Sequence, residues 1–162
     1  DRGTVFVSPY NDPDVIAGAG TIGIEILADL PDVDVVLVPV GGGGLAAGIA
    51  IYIKSVAPRT RVIGVQSEAY PGMQRSRAAG RIVQVDDLPS LADGLAGNVE
   101  MGSITFDLCQ HYLDDMVLVS EADIEEAMRH FLKEERIVVE GSGAVCAAAA
   151  AQGPLVMPSS AP

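Results

Sequence analysis

An apolar run that opens on Asp34, Asp34-Val35-Val36-Leu37-Val38-Pro39-Val40, leads straight into four consecutive glycines, Gly41 to Gly44, and then into Leu45-Ala46-Ala47-Gly48. The run has no polar face. As a strand it must be covered on both sides, as central parallel strands are. Without Cβ atoms the glycines let the backbone turn tightly and let another group touch it. The helix expected from Leu45 to about Ser55 leaves its first amides without internal partners. Turn and helix start together form an anion cradle, reinforced by the helix dipole, that needs no Arg or Lys. Hydrogen bonds to a charged group contribute roughly 1.5–3 kcal/mol each, so three or four hold a phosphate. The bland alternative is a merely flexible turn. The stretch Val35 to Ile53 also has about the length of a membrane span, but Pro39 and the glycines in its middle favour strand, loop and helix.

Arg61-Val62-Ile63-Gly64-Val65 reads as a second buried strand. Strand, helix and strand in about 30 residues make a βαβ unit. Upstream, Val5-Phe6-Val7 is expected to be a short strand. Asn11 and Asp12 are candidate N-caps, with Pro13 well placed at the first helical position. A helix is expected from about Asp14 to Leu30, ended by Pro31 and Asp32. Gly18, Gly20 and Gly23 within it cost about 1 kcal/mol each against alanine, which suggests close backbone packing ahead of the alternative, a ligand contact. Downstream the pattern predicts a helix over Met73 to Ala79, a short strand over Ile82 to Val85, and a loop at Ala92-Asp93-Gly94-Leu95. It continues with a helix over Ile104 to Leu113 and a strand over Asp115 to Val119. Ser120 with Asp123 resembles a capping box for a helix whose Ile124, Met128, Phe131 and Leu132 share a face. Ile137 to Glu140 is extended, and Gly141-Ser142-Gly143 opens an alanine-rich helix from about Ala144 to Ala151. Strands alternating with helices predict an α/β three-layer sandwich with a mainly parallel sheet.

A chain of 162 residues fits one domain, and 49% hydrophobic residues argue against disorder. A net charge of −12 argues against nucleic-acid binding, which relies on Lys and Arg, and against docking on anionic membranes. Cys109 and Cys146 are too few for a disulfide framework, and with His111 and His130 they do not give zinc spacing. Two free thiols suit a reducing cytoplasm. The N-terminus has no basic-then-apolar leader pattern. The chain starts without Met, and its last residues, Pro154 to Pro162, have no helical or strand period. The expected division is a partial domain over 1–151 and an unstructured or non-native tail over 152–162, in a piece of a larger protein.

The glycine run also contains Gly42-Gly43-Gly44-Leu45-Ala46-Ala47, a loose G-x-G-x-x-A, and Glu68 follows the next strand. A dinucleotide site would use these, with Glu68 on the ribose hydroxyls. Pro39 and Gly41 have no place in that pattern.

Several segments taken together resemble the serine/threonine dehydratases of the pyridoxal-phosphate fold type II group. They are Ser8-Pro9-Tyr10-Asn11-Asp12-Pro13, Ile16 to Ile26, Val38 to Leu45, Ala92-Asp93-Gly94 and Glu140-Gly141-Ser142-Gly143-Ala144. The resemblance spans Phe6 to about Ala150 and implies that 1–151 is a partial cofactor-binding catalytic domain, part of the large domain of such an enzyme, with pyridoxal 5'-phosphate as cofactor. It assigns the cofactor's phosphate to the amides of Gly41, Gly42, Gly43 and Gly44, with Leu45 at the helix start. Asp93 and Gly94 fall beside the substrate. Glu140 falls near the cofactor ring, or is simply a solvated carboxylate at a helix N-terminus. Tyr10 and Asn11 approach the cofactor face, or only cap a helix. The implied substrate is a small β-hydroxy amino acid, serine, threonine or a relative, converted to a 2-oxo acid and ammonia; serine racemases look similar. The complete protein is expected to be a homo-oligomer.

The departures from the family are equally specific. Its chemistry needs a lysine, upstream in an S-x-K-x-R-like segment, that forms a Schiff base with the cofactor. This chain has only Lys54 and Lys133, in other contexts. The serine-rich loop for the substrate carboxylate and the S-G-G-N-like turn for the pyridine nitrogen are absent. No catalytic residue is therefore assigned, and the chain is expected to be inactive alone. Gln66 and Gly72 stand where some members carry cation-binding carboxylates, so no metal is expected. A non-catalytic phosphate-ligand or protein-binding module on the same fold is the remaining alternative.

Overall fold

The computed structural model of the chain describes residues 3–86 and 88–153; of the tail expected over 152–162, residues 154–162 lie outside them. Its sheet has three parallel strands, β1 (Val35–Pro39), β2 (Arg61–Ser67) and β3 (Asp115–Val119), in that order. Val35 pairs with Arg61 and Pro39 with Val65; Ile63 pairs with Asp115 and Ser67 with Val119. The central strand β2 is buried from Val62 to Ser67; the two-sided apolar stretch Val62–Val65 requires this cover, and the polar Gln66 and Ser67 are buried beyond it. It runs two residues past the expected end at Val65.

Helices cover both faces: α1 (Pro13–Asp29), α2 (Gly44–Val56), α3 (Gly72–Ala79), α4 (Ile104–Tyr112), α5 (Glu121–His130) and α6 (Gly141–Ala151). Strand alternation feeds two cores. Val36 and Val38 join Ile16, Ile53 and Phe106 under α1, α2 and α4, while Leu37 packs with Val65, Val119, Ile124 and Val145 under α5 and α6. The three expected layers are present. No helix among the described residues is long and apolar enough to cross a membrane.

Caps set the helix ends. Asp12, not Asn11, caps α1: its Oδ1 accepts from Asp14 N at 2.9 Å and Val15 N at 3.2 Å, with Pro13 at the first position. The Ser120–Asp123 capping box on α5 is reciprocal. Beyond His130, α5 continues as a π-helical turn over Phe131–Glu135 that ends at Arg136 in the left-handed region, φ 59°. Leu132 sits in that turn and is exposed rather than on the buried face of Ile124. At the other end of α2, Lys54 Nζ pairs with Asp114 Oδ2 at 2.6 Å and donates to Thr60 O at 2.8 Å. The same carboxylate oxygen accepts from Val62 N at 2.7 Å, joining α2, β2 and the start of β3.

Three sequence expectations give way. Among the described residues Val5–Val7 has no strand partner, and it is exposed. Among the described residues Ile82–Val85 joins no sheet. Asn98 takes the place of a neighbouring strand, accepting from Val85 N at 2.7 Å and donating to Val85 O at 2.9 Å, while Val83 N donates to Ser76 Oγ at 3.0 Å. The last helix starts at Gly141 rather than Ala144, because the three small residues lie inside its first turn.

Candidate functional site

The chain leaves β1 through one last ladder bond, Val40 N to Val65 O at 2.8 Å. From Gly41 to Ala46, no backbone N–H donates to another group among the described residues. The carbonyls behave differently. Gly42 O accepts from Thr105 Oγ1 at 2.6 Å, and Gly43 O accepts from Ala47 N at 2.9 Å and from Cys109 Sγ at 3.6 Å. Gly43 is the N-cap of α2 with φ 92°, a conformation that side chains rarely tolerate. The loop thus turns its acceptors inward and leaves six donors unclaimed at the positive end of a 13-residue helix.

All four glycines are pressed by neighbours. A Cβ on Gly42 would lie 2.4 Å from Tyr10 Cγ, and one on Gly44 would lie 2.7 Å from Tyr10 Cα. On Gly43 it would reach Met73 Cε at 2.8 Å, and on Gly41 it would reach Leu95 Cα at 3.3 Å. Tyr10 therefore lies over the loop while α3 and α4 support it from the other side. Burial, then the charge of Glu100, pushes the Tyr10 hydroxyl up from its ordinary pKa. Asn11 ties this segment to α4, accepting from Ile104 N at 3.0 Å and donating to Glu100 Oε2 at 3.0 Å. Leu45, the first residue after the glycines, is exposed at the helix start.

Beside Gly41 runs a single 3₁₀ turn, Asp93–Leu95. Its Gly94 faces Ser142 and Glu140: a Cβ there would lie 2.7 Å from Ser142 Oγ and 3.8 Å from Glu140 Oε1. Gly141 packs against the backbone of Leu91. The turn is wedged between the glycine loop and the start of α6, so Gly41, Gly94 and Glu140 belong to one continuous contact chain. Asp93, Gly94 and Glu140 are exposed. Ser142 is buried, and its hydroxyl has no partner among the described residues. The sequence placed Ser142 in the Glu140-Gly141-Ser142-Gly143-Ala144 segment without giving it a role, and nothing in it singled out Thr105, which reads as an ordinary residue at a helix start.

Glu121 fixes the approach to this turn. Its carboxylate accepts from Ser67 Oγ at 2.7 Å, Ser90 Oγ at 2.6 Å and Leu91 N at 2.7 Å. Burial raises its pKa, but the three hydrogen bonds outweigh burial and hold it below the ordinary value. A depressed folded pKa gives stability that is complete above the unfolded value, about 4.3, and is lost as pH falls through the folded one. Urea unfolding between neutral and acid pH will therefore show part of the acid destabilisation vanish in Glu121→Gln. A variant whose acid limb matched the parent chain would contradict this.

Other candidates fall away from the loop. Lys54 lies ten residues into α2 from Gly44, about 15 Å along the axis, and is engaged by Asp114. Lys133 is in the exposed π-helical turn. Glu68 is exposed past the end of β2. Gln66 is buried and its Oε1 accepts from Gln74 N of α3 at 2.9 Å. Among the described residues no three His, Cys, Asp or Glu side chains converge as a metal site would need. Cys109 and Cys146 are free, with thiols pushed up to about 12 by burial.

Of the three glycines in α1, Gly20 and Gly23 meet α2: a Cβ on Gly20 would lie 3.2 Å from Gly48 O, and one on Gly23 would lie 3.1 Å from the Tyr52 ring. Gly18 is exposed and meets nothing, contrary to the packing role expected for it.

A protein-family profile described as pyridoxal-phosphate dependent enzyme matches residues 1–159. The chain is similar to the L-threonine ammonia-lyase of Thermotoga maritima, 52% identical over 147 residues that make up 91% of this chain and 36% of that protein. It is 48% identical over 154 residues to the catabolic L-threonine dehydratase of Escherichia coli K12, covering 95% of this chain and 46% of that one. Among solved structures it superposes on the processed form of threonine deaminase isoform 2 from Solanum lycopersicum with a TM-score of 0.87 and 42% identity, covering 92% of this chain and 43% of the other. The chain spans less than half the length of each.

Proposed function

Because the chain belongs to the family of pyridoxal-phosphate dependent enzymes, we propose that it forms the phosphate-holding part of the active site of a serine/threonine dehydratase, an ammonia-lyase. Such an enzyme converts a β-hydroxy amino acid to a 2-oxo acid and ammonia. The observation that carries this reading is the row of unclaimed N–H groups from Gly41 to Ala46, in a chain half identical to a threonine ammonia-lyase.

The residues present suit both ends of the cofactor. Gly41, Gly42, Gly43, Gly44 and Leu45 would hold its phosphate through main-chain amides, with the α2 dipole favouring the dianion. Glu140 would lie near the ring, and Asp93 and Gly94 would lie by the substrate. Tyr10 would shield the loop from water. When bound, the cofactor supplies an electron sink that lets the α-proton leave and the β-hydroxyl be eliminated. Neither lysine reaches the loop, so we assign the amine that joins the cofactor to polypeptide outside this chain. The dinucleotide reading draws no support from the family match. The free thiols Cys109 and Cys146 suit a cytoplasmic enzyme, and exposed Ile22 and Ile24 on α1 suit self-association.

Two measurements test this. The gene product that contains the chain will release 2-oxo acid from L-threonine or L-serine, while residues 1–162 alone will release none. Titrated into the isotopically labelled chain, pyridoxal phosphate will shift the amides of Gly41 to Leu45, and NAD will not. NAD-specific shifts at the loop and Glu68, or turnover by the chain alone, would overturn the proposal.

A further inference from the structure

We propose that Thr105, backed by Ser103, is a positioning residue for the anion cradle: the two hydroxyls fix and polarise the Gly42–Gly43 peptide so that the Gly43 N–H faces the ligand. The inference rests on the phosphate reading of the loop and names a residue that acts on it from α4.

A peptide flanked by two glycines has little steric preference for its own orientation. Something outside the loop must choose which way it faces. The peptide is planar and trans, so its C=O and N–H point in opposite directions. Fixing Gly42 O towards α4 sends the Gly43 N–H away from α4. Thr105 Oγ1 does the fixing at 2.6 Å, across 63 residues of sequence. The next peptide is held differently, since Gly43 O already has the Ala47 backbone amide. Among the described residues, Gly42 O has Thr105 as its donor and no backbone donor.

Ser103 completes the device. Ser103 Oγ and Thr105 Oγ1 are 2.6 Å apart, and both residues are buried. The Thr105 hydroxyl proton is committed to Gly42 O, so Ser103 must donate to Thr105. Ser103 Oγ in turn accepts from Thr105 N at 3.3 Å. Two hydroxyls thus point in series at one carbonyl. Each link in such a chain strengthens the next by roughly 10–30%. Electron density drawn to the Gly42 oxygen makes the Gly43 N–H a stronger donor. In a cradle without Lys or Arg, donor strength is what the protein can adjust.

The experiment uses the labelled chain and inorganic phosphate, and compares it with Thr105→Val, Thr105→Ser and Ser103→Ala. In the parent chain phosphate will move the Gly41 to Leu45 amides saturably. Thr105→Val keeps the shape and removes the hydroxyl. It will displace the free-state Gly43 amide resonance and weaken phosphate about fivefold to tenfold, the size of one hydrogen bond. Thr105→Ser will restore both. Ser103→Ala keeps the direct bond and loses the relay, so its Gly43 resonance will move part of the way and its affinity will fall about twofold. A purely structural role would lower stability without moving affinity among folded molecules. Parent-like phosphate binding in Thr105→Val, or equal losses in the Val and Ser variants, overturns the inference while the cradle stands. If Thr105→Val does not fold, an unmoved Gly43 resonance in Ser103→Ala overturns it. A parent chain whose loop amides ignore both phosphate and pyridoxal phosphate removes the functional reading and this inference together.

Discussion

Replacing Gly48 with alanine will lower the unfolding free energy of this chain by about 3 kcal/mol, at the upper end of what overpacking a well-filled interior costs. Gly48 is where α2 crosses α1. A Cβ there would sit 2.2 Å from Ile16 O, 2.8 Å from Gly20 N and 3.0 Å from Ala19 Cβ. Two of those atoms are helix backbone, which no rotamer change can move aside. The helices must part, and Ile16, Ala47 and Ile49 then lose their shared packing in the core. Gly18→Ala is the matched control. It lies on the exposed side of α1 with nothing within 4 Å, so it will gain about 0.5–1 kcal/mol of helix propensity. Urea unfolding of the two variants should give changes of opposite sign. A neutral Gly48→Ala would mean that α1 and α2 do not meet as described.

Gly141→Ala will have an effect of similar size on stability, with an added consequence for the site. Its Cβ would fall 2.0 Å from Leu91 O, 2.3 Å from Leu91 C and 2.9 Å from Ala92 N. That backbone cannot retreat freely, because Glu121 holds it through Leu91 N and Ser90 Oγ. The start of α6 must yield instead, taking Glu140 and Ser142 away from Gly94. The expected loss is again about 3 kcal/mol, with faster hydrogen exchange at residues 91–95. Gly143→Ala, two residues on, meets nothing closer than 4.0 Å and faces solvent. It will be neutral or slightly stabilising. Equal effects at positions 141 and 143 would show that the close approach to Leu91 does not constrain α6.

Much of the frame is legible from short-range pattern. β1 and β2 announce themselves through the apolar stretches Val35–Val40 and Val62–Val65, which have no polar face, and the ends of α1 and α5 through Asp12-Pro13 and Ser120 with Asp123. The glycine loop is legible for the same reason: its composition is unusual and local. Patterns misled where a long-range partner decides the outcome. Ile82–Val85 has strand-like residues, but Asn98 supplies its hydrogen bonds in place of a strand. Val5–Val7 has the apolar residues of a strand and, among the described residues, no neighbour to pair with. Gly20 packs as expected and Gly18 does not, because helical periodicity says which residues share a face but not which face is covered.

The sequence by itself determined a parallel α/β frame and an unshielded set of amides after β1, because strand burial, helix caps and glycine content act within a few residues. Only the tertiary structure decided which atoms meet those amides and the turn beside them. Tyr10 lies over the loop, Thr105 returns from α4 to hold Gly42 O, and Ser142 comes to Gly94 with its hydroxyl unspent among the described residues. Each of those contacts joins segments far apart in the chain. Their positions depend on how whole helices dock on the sheet, which no local pattern of residue types records.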